Sequence, residues 1–405
     1  MMTKETLKIG VIAGEVSGDL LGGDLIAALR AAWPGDIQLV GVGGEALERQ
    51  GLVSLFDFSE LSIMGLSQVL KRLPSLLRRI RQSADAMIAA RPDVLLIIDS
   101  PDFTHRVAKR VRKALPDLPV VDYVCPSVWA WKEERAPRMR AYVDHVLALL
   151  PFEPAAMERL DGPQTTYVGH RLVSDPDIGR IRAARLARAD RAPGERLCLL
   201  LPGSRSTEIS RLLPVFGEMA RELSARNPGI RFLLPTVPRQ EALVRRLTAD
   251  WPVKPLITAT AEGKWQAFAE ADAAIAASGT IILELALARV PVVSTYRFDW
   301  LANTFFLKKV KIWSAAIPNI IADYIVVPEF LNEQVRPGTL ARCFERLAID
   351  TAERRAMLEG YDLVHERMQT PRPPGEAGAA VILDLLATKK AGAKTHRPSS
   401  SSPSH

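Results

Sequence analysis

Five short stretches place chemically useful side chains where an apolar run stops. In the first, Ala13-Gly14-Glu15-Val16-Ser17-Gly18-Asp19, two glycines and a helix start follow an apolar run, which is where parallel sheets hold ligands. The strict glycine spacing of a dinucleotide loop is absent, and Glu15 would repel a pyrophosphate, so the loop suits a sugar or another hydroxyl-bearing acceptor. The plain alternative is that Ser17 or Asp19 only caps the helix. In the second, Ile97-Ile98-Asp99-Ser100-Pro101-Asp102-Phe103, Asp99 ends an apolar strand, a partly desolvated setting for a carboxylate that takes a proton. Asp102 reads first as the cap of the next helix.

Two stretches of the second half suit a nucleoside diphosphate. Leu201-Pro202-Gly203-Ser204-Arg205 is a strand end, a glycine turn and a helix start with a fixed cation, so backbone N–H groups and the Arg205 guanidinium together could hold a diphosphate. Ala277-Ser278-Gly279-Thr280 repeats the construction, and Glu284, one turn further on, could accept hydrogen bonds from both ribose hydroxyls. Caps and turns use the same residue types, so it is their joint presence that points to a nucleoside diphosphate. The fifth stretch, Gly41-Val42-Gly43-Gly44, reads as a tight turn.

Other chemistries lack their residues. His105 and His170 belong to no triad or ligand set, and structural or solvated roles are the default for both. Cys125, Cys198 and Cys343 are scattered, so neither disulfides nor zinc is implied. There is no Walker lysine loop and no Gly-x-Ser-x-Gly elbow. No metal or cofactor is expected.

The elements that must position these residues are legible as alternation. Lys8–Ala13, Gln38–Val42, Asp93–Asp99, Val120–Val124, His145–Leu150 and Thr165–Gly169 read as strands, with helical stretches between most of them. After an Arg- and Ala-rich link near 175–196 a second series follows at Leu197–Leu201, Ile230–Thr236, Pro255–Ala259, Ala273–Ala277 and Val290–Tyr296. The expectation is α/β, with two doubly wound parallel sheets in tandem and a ligand cleft between facing halves. We divide the chain into an acceptor domain over 1–174, a donor domain over 175–337, helices over 338–388 and a disordered tail over 389–405, where Lys, Pro and Ser leave nothing to bury.

A length of 405 residues with 48% hydrophobic and 24% charged residues fits two soluble domains. No apolar run reaches the roughly 20 residues of a membrane span, and the N-terminus lacks the order of a secretory signal, so a cytoplasmic location is expected. A net charge of +7 favours anionic partners. It is spread out and accompanied by no nucleic-acid motif, so nucleic acid ranks last. Two basic apolar segments raise contact with anionic lipid: Ile63–Ile80, at least as readable as a helix covering the sheet, and Leu301–Trp313, whose composition suits such an interface and for which a buried helix is the alternative.

Taken together, the stretches ending at Asp19, Phe103 and Arg205, the pair Ser278-Gly279-Thr280 and Glu284, and the strings Ile63-Met64-Gly65, Pro126-Ser127-Val128-Trp129-Ala130-Trp131 and Ile317-Pro318-Asn319 resemble the lipid-A-disaccharide synthase family in order and spacing, from about Lys8 to Thr370. The resemblance implies a GT-B fold of two facing Rossmann-like domains, with C-terminal helices returning to the first domain and exchanged between protomers of a homodimer. It implies an inverting, metal-free hexosyltransferase of lipid A and lipopolysaccharide biosynthesis in Gram-negative bacteria. That enzyme joins UDP-2,3-diacylglucosamine to 2,3-diacylglucosamine 1-phosphate (lipid X), giving the β-1,6-linked disaccharide 1-phosphate and UDP, as a peripheral protein at the inner face of the inner membrane. It places Asp99 as general base, Arg205 and Asn319 as essential donor-side residues, and Glu15, Ser17 and Asp19 in the acceptor loop; Ser204, Ser278, Gly279, Thr280 and Glu284 join the substrate contacts read above. Departures are Cys125 before Pro126, Ser206-Thr207 after Arg205, and the Lys/Ser tail. Two rivals stay open on the residues alone: a UDP-N-acetylglucosamine 2-epimerase sharing the second half, and a non-catalytic nucleotide-sugar or lipid-binding regulator.

Overall fold

The computed structural model describes residues 6–61, 66–188, 194–298 and 311–395. They divide into two units: Met1–Arg171 with Thr370–His405, and Leu172–Gln369.

The first unit is built on six parallel strands, β1 (Leu7–Ala13), β2 (Ile37–Val42), β3 (Val94–Ile98), β4 (Val120–Tyr123), β5 (His145–Ala148) and β6 (Gln164–Tyr167), in the order β2-β1-β3-β4-β5-β6. The strands are apolar throughout because both faces are covered, and their alternation divides between two cores. Leu95, Ile97 and Val120 enter one core with Val107 and Val111 of helix Pro101–Ala114. Val94, Leu96, Ile98 and Val121 enter the other with Leu25 and Leu29 of helix Val16–Ala32. The chain's last helix, Pro374–Thr395, returns to this second core through Ala379, Ile382 and Leu386. Gly375 lets it lie against the backbone of Asp24, whose carbonyl oxygen a Cβ at that position would meet at 2.8 Å.

The second unit repeats the plan with β7 (Arg196–Leu201), β8 (Ile230–Pro235), β9 (Leu256–Thr258), β10 (Ala273–Ala277), β11 (Val292–Tyr296) and β12 (Glu329–Leu331), again all parallel, in the order β12-β11-β10-β7-β8-β9. Helix Ser206–Arg226 buries Ile209, Leu213, Phe216 and Leu223 and packs on helix Pro337–Leu347.

Each sheet reverses its winding once, between β1 and β3 and between β7 and β10, which opens a crevice at those carboxyl ends. All the candidate loops except the Pro126–Trp131 and Ile317–Asn319 strings leave one of these four strands or the neighbouring β2.

Two expectations change. A twelfth strand, three residues long and following Pro328, carries too little alternation to be read from sequence. The tail expected from Lys389 instead continues the last helix through Thr395, because Lys and Ala are helix formers that need no burial. Lys389 Nζ also donates to Asp117 O at 2.9 Å. Residues 396–405 lie outside the described residues, as do Ile63-Met64-Gly65 and most of Leu301–Trp313. The rest of Ile63–Ile80 belongs to helix Leu66–Ala90, in which Ile80 is buried and Arg79 pairs with Glu60 and stands 4.5 Å from the Phe56 ring centroid.

Candidate active site

The carboxyl ends of β1 and β3 bring the Ala13–Asp19 and Asp99–Phe103 stretches into contact. Gly14 N donates to Ile98 O at 3.2 Å, and a Cβ on Gly14 would lie 2.2 Å from Ser100 Cβ, so only glycine permits this approach. Asp99 and Ser100 both take left-handed backbone angles, φ 57° and 46°, at a cost of about 1–3 kcal/mol each. Thr104, one turn into the following helix, holds that conformation by donating its hydroxyl to Asp99 O at 2.7 Å.

The strained turn presents the Asp99 carboxylate with a fixed orientation. Its Oδ1 accepts from Ser100 N at 2.7 Å and its Oδ2 from Ser17 Oγ at 3.0 Å. Ser100 Oγ donates to Glu15 Oε1 at 3.1 Å, so Glu15, Ser17, Asp99 and Ser100 form one cluster around two carboxylates. Asp99 is half-buried rather than dry, so orientation more than desolvation prepares it.

Other residues of these loops have structural work. Asp19 is 4% exposed, and its carboxylate accepts from Gly44 N, Ala46 N and Leu47 N at 2.7, 2.9 and 3.2 Å. It therefore caps the short helix Glu45–Glu48 across the fold and fixes the Gly41–Gly44 turn. Asp102 is not a cap: the helix begins at Pro101, and the exposed Asp102 lies 4.0 Å from Arg135. His105 is buried, with Nε2 2.9 Å from Asp122 Oδ2 and Nδ1 3.1 Å from the Tyr142 hydroxyl. Burial pushes the Asp122 carboxyl upward, while His105 draws it back down.

The Pro126–Trp131 string lies at the end of β4. Trp129 Nε1 donates to Glu153 Oε1 at 3.2 Å, and Glu153 Oε2 accepts from Leu149 N and Leu150 N at 3.1 and 2.9 Å. Burial raises Glu153 to about 7, against the lowering effect of these three donors. This carboxylate gave no signal in the sequence.

In the second unit, Ser204, Arg205, Ser278, Gly279, Thr280 and Glu284 line one cavity of about 570 Å³. Gly279, with φ 150°, turns the chain from β10 into helix Thr280–Leu287. Ser278 N is used by the sheet, donating to Thr295 O at 2.8 Å. Three further residues of this cavity escaped sequence reasoning. Glu208 accepts from Ser204 N and Arg205 N at 3.2 and 3.3 Å and from Arg205 Nη1 at 2.8 Å, so an internal carboxylate occupies the donors expected for a diphosphate. Its spacing, three residues beyond the helix cap, was the available clue. Lys264 pairs with Glu284 and lies 4.1 Å from the Trp265 ring centroid. Thr236 also lines the cavity with a buried hydroxyl.

Asn319 is not brought to this cavity. It is fully buried, its Nδ2 donating to Ser314 Oγ at 3.0 Å and Val327 O at 2.9 Å, and its Oδ1 accepting from Val326 N and Val327 N at 2.9 and 2.7 Å. Its geometry is that of a residue holding the segments before β12. Among the described residues no group of three His, Cys, Asp or Glu side chains is placed to hold a metal ion.

A family model described as lipid-A-disaccharide synthetase matches residues 9–366. A lipid-A-disaccharide synthase of Nitrobacter winogradskyi is 46% identical over 385 residues, covering 95% of this chain and 97% of its own. One from Rhodospirillum centenum is 40% identical, covering 94% and 95%. Among solved structures, a Staphylococcus aureus MnaA–UDP complex superimposes with a TM-score of 0.59 at 14% identity, covering 98% of this chain and all of that one. An Acinetobacter baumannii MurG gives 0.55 at 16%, covering 94% and 99%. These two are similar in fold alone.

Proposed function

This chain belongs to the lipid-A-disaccharide synthetase family, and from that membership we propose a division of labour among its residues. The activity is that of a lipid-A-disaccharide synthase, a hexosyltransferase with two parallel-sheet Rossmann-like domains of GT-B type. The donor is UDP-2,3-diacylglucosamine and the acceptor 2,3-diacylglucosamine 1-phosphate.

Asp99 takes the proton from the acceptor's primary hydroxyl as that oxygen bonds to the anomeric carbon of the donor. The bond from that carbon to the UDP oxygen breaks, and UDP leaves with the electron pair, so an inverted β-1,6 linkage results. Ser17 and the Ser100 amide aim the carboxylate; Glu15, tied through Ser100, keeps the cluster together and can accept from a substrate hydroxyl. Arg205, Ser204 and the start of helix Thr280–Leu287 offset the charge growing on UDP, and Glu284 accepts from the ribose. For this, Glu208 must release the amides it holds. Asn319 acts through the segments it anchors and Asp19 through the turn it caps.

The observation that carries this reading is the convergence of Ser204, Arg205, Ser278, Gly279, Thr280 and Glu284, chosen for nucleoside-diphosphate chemistry, on a single cavity. Asp99→Asn tests it: the variant should lose the coupling step while binding UDP as the native protein does. A binding protein would be indifferent to that change, and an epimerase would act on UDP-N-acetylglucosamine without any acceptor.

The enzyme works at an anionic membrane surface on the cytoplasmic side, as a peripheral protein. No helix among the described residues is long and apolar enough to cross a membrane. The net charge of +7 and the 55% exposed Trp313 support surface contact. Charge reversal of Lys308, Lys309 and Lys311 should lower recovery on anionic vesicles, and unchanged sedimentation would remove that segment as an anchor. A homodimer formed by exchanging helix Pro374–Thr395 completes the proposal, and light scattering that returns a monomer would exclude it.

A further inference from the structure

The cavity of the second unit carries an anion of its own. Glu208 Oε2 accepts from Ser204 N at 3.2 Å and from Arg205 N at 3.3 Å, and its Oε1 accepts from Arg205 Nη1 at 2.8 Å. One carboxylate thus takes three donors of the loop assigned above to the UDP diphosphate. Part of this is ordinary helix capping. Glu208 is the third residue of helix Ser206–Arg226, the position from which a carboxylate reaches back to the N–H of the residue before the helix, here Arg205. Capping explains that bond and no more. Ser204 N lies ahead of the cap and Arg205 Nη1 belongs to a side chain, so neither is a donor that the helix leaves open.

The loop is shaped around that carboxylate. Gly203 has φ 106°, and a Cβ there would lie 2.4 Å from Glu208 Oε2 and 2.8 Å from Glu208 Cβ. Only glycine allows both the left-handed turn and that approach. The Glu208 side chain is 12% exposed against 70% for Arg205, so the carboxylate lies inward, over the two amides, and the guanidinium lies at the cavity's mouth. A second cation stands at the same loop. Arg239 Nη2 is 3.5 Å from Ser204 O, and among the described residues Arg239 pairs with no carboxylate. Two successive amides with guanidinium groups beside them match the oxygens of a diphosphate. A diphosphate and a carboxylate repel each other and cannot share the same N–H groups, so one must leave for the other to bind.

We propose that Glu208 is a positioning residue that acts on UDP through these donors: it keeps the two amides and the Arg205 guanidinium in place, yields them to the diphosphate, and takes them back as UDP departs, so that the product is not held tightly. The proposal rests on the donor-cavity reading above. Calorimetric titration of UDP into the full-length native protein and into Glu208→Gln tests it. Glutamine keeps the side-chain length and one acceptor oxygen, so the cap survives, while its hold on the amides weakens and its repulsion of the diphosphate disappears. UDP should bind about tenfold more tightly to the variant, the difference between charge-assisted and neutral bonds, and the Ki of UDP as a product inhibitor of the coupling reaction should fall by the same factor. A residue serving the helix alone predicts equal affinity, and a residue that itself holds UDP predicts weaker affinity. In isotope-labelled native protein the Ser204 and Arg205 amide resonances should move as UDP is added, a measurement that keeps the test should Glu208→Gln not fold. Affinity within twofold of native or weaker in the folded variant, or amides that stay in place as UDP saturates the protein, overturns the proposal and leaves UDP binding standing. Native protein that binds no UDP overturns the donor-cavity reading and the proposal together.

Discussion

Replacing Glu153 by Gln should change how stability depends on pH, by an amount and with a sign that follow from its surroundings. The carboxyl is 3% exposed and accepts from the Trp129 indole and two backbone amides, yet burial outweighs these donors and lifts it from the ordinary 4.5 to about 7. At about 1.4 kcal/mol for each pH unit, the rise is worth about 3 kcal/mol. Because the folded protein holds a proton that the unfolded chain has released, this contribution is complete below about pH 4.5 and is lost as pH rises through 7. Glutamine keeps one of the two acceptor oxygens, a loss that does not vary with pH, and has no proton to lose. Urea unfolding of both proteins between pH 4.5 and 8.5, following the first unit's transition, should therefore show the native protein losing about 3 kcal/mol relative to Glu153→Gln. The Trp129 indole N–H resonance should titrate with a midpoint near 7 in the native protein alone. Parallel stability profiles, or a midpoint near 4.5, would refute the reasoning.

Three other outcomes are expected. Gly14→Ala puts a Cβ 2.2 Å from Ser100 Cβ, so the Asp99 turn must move; turnover should fall at least about 100-fold with a stability loss of about 1–3 kcal/mol. Turnover within twofold of native would show that the close approach is unnecessary. Arg205→Ala should lower kcat/KM by about 3 kcal/mol, near 100-fold, and Arg205→Lys should restore little because a point charge cannot fork between oxygens. The Arg205 side chain is 70% exposed and its pair with Glu208 is screened, so thermal melting should barely change. Lys264→Met releases Glu284 and should raise the KM for the UDP-sugar about tenfold with a smaller effect on kcat, which steady-state kinetics with varied donor would measure.

Much of this was open to reading from residue order, and the reasons are physical. Strands buried on both faces must be apolar along their whole length, so Val94–Ile98 and Ala273–Ala277 announce themselves, and a parallel sheet puts its loops at the carboxyl ends. Ser17 and Asp99 were named for their place after strands, and the fold joins them across 82 positions. What stayed hidden were partnerships set by packing. Asp19 has the composition of a substrate contact, but its partners are 25 to 28 residues away and it is buried among them. Asn319 is a polar side chain in a recognised string, and only the burial of its whole amide reveals it as an anchor. Lys264 and Glu153 lie on helices whose own periodicity says nothing of the groups they meet.

The central claim, that this chain couples two acylated glucosamine units, is tested most directly by incubating the purified protein with UDP-2,3-diacylglucosamine and 2,3-diacylglucosamine 1-phosphate and analysing the products by mass spectrometry. A disaccharide 1-phosphate should appear with UDP, dependent on both substrates and absent with Asp99→Asn. Turnover of the UDP-sugar alone, or no disaccharide from folded protein that binds UDP, would contradict the account.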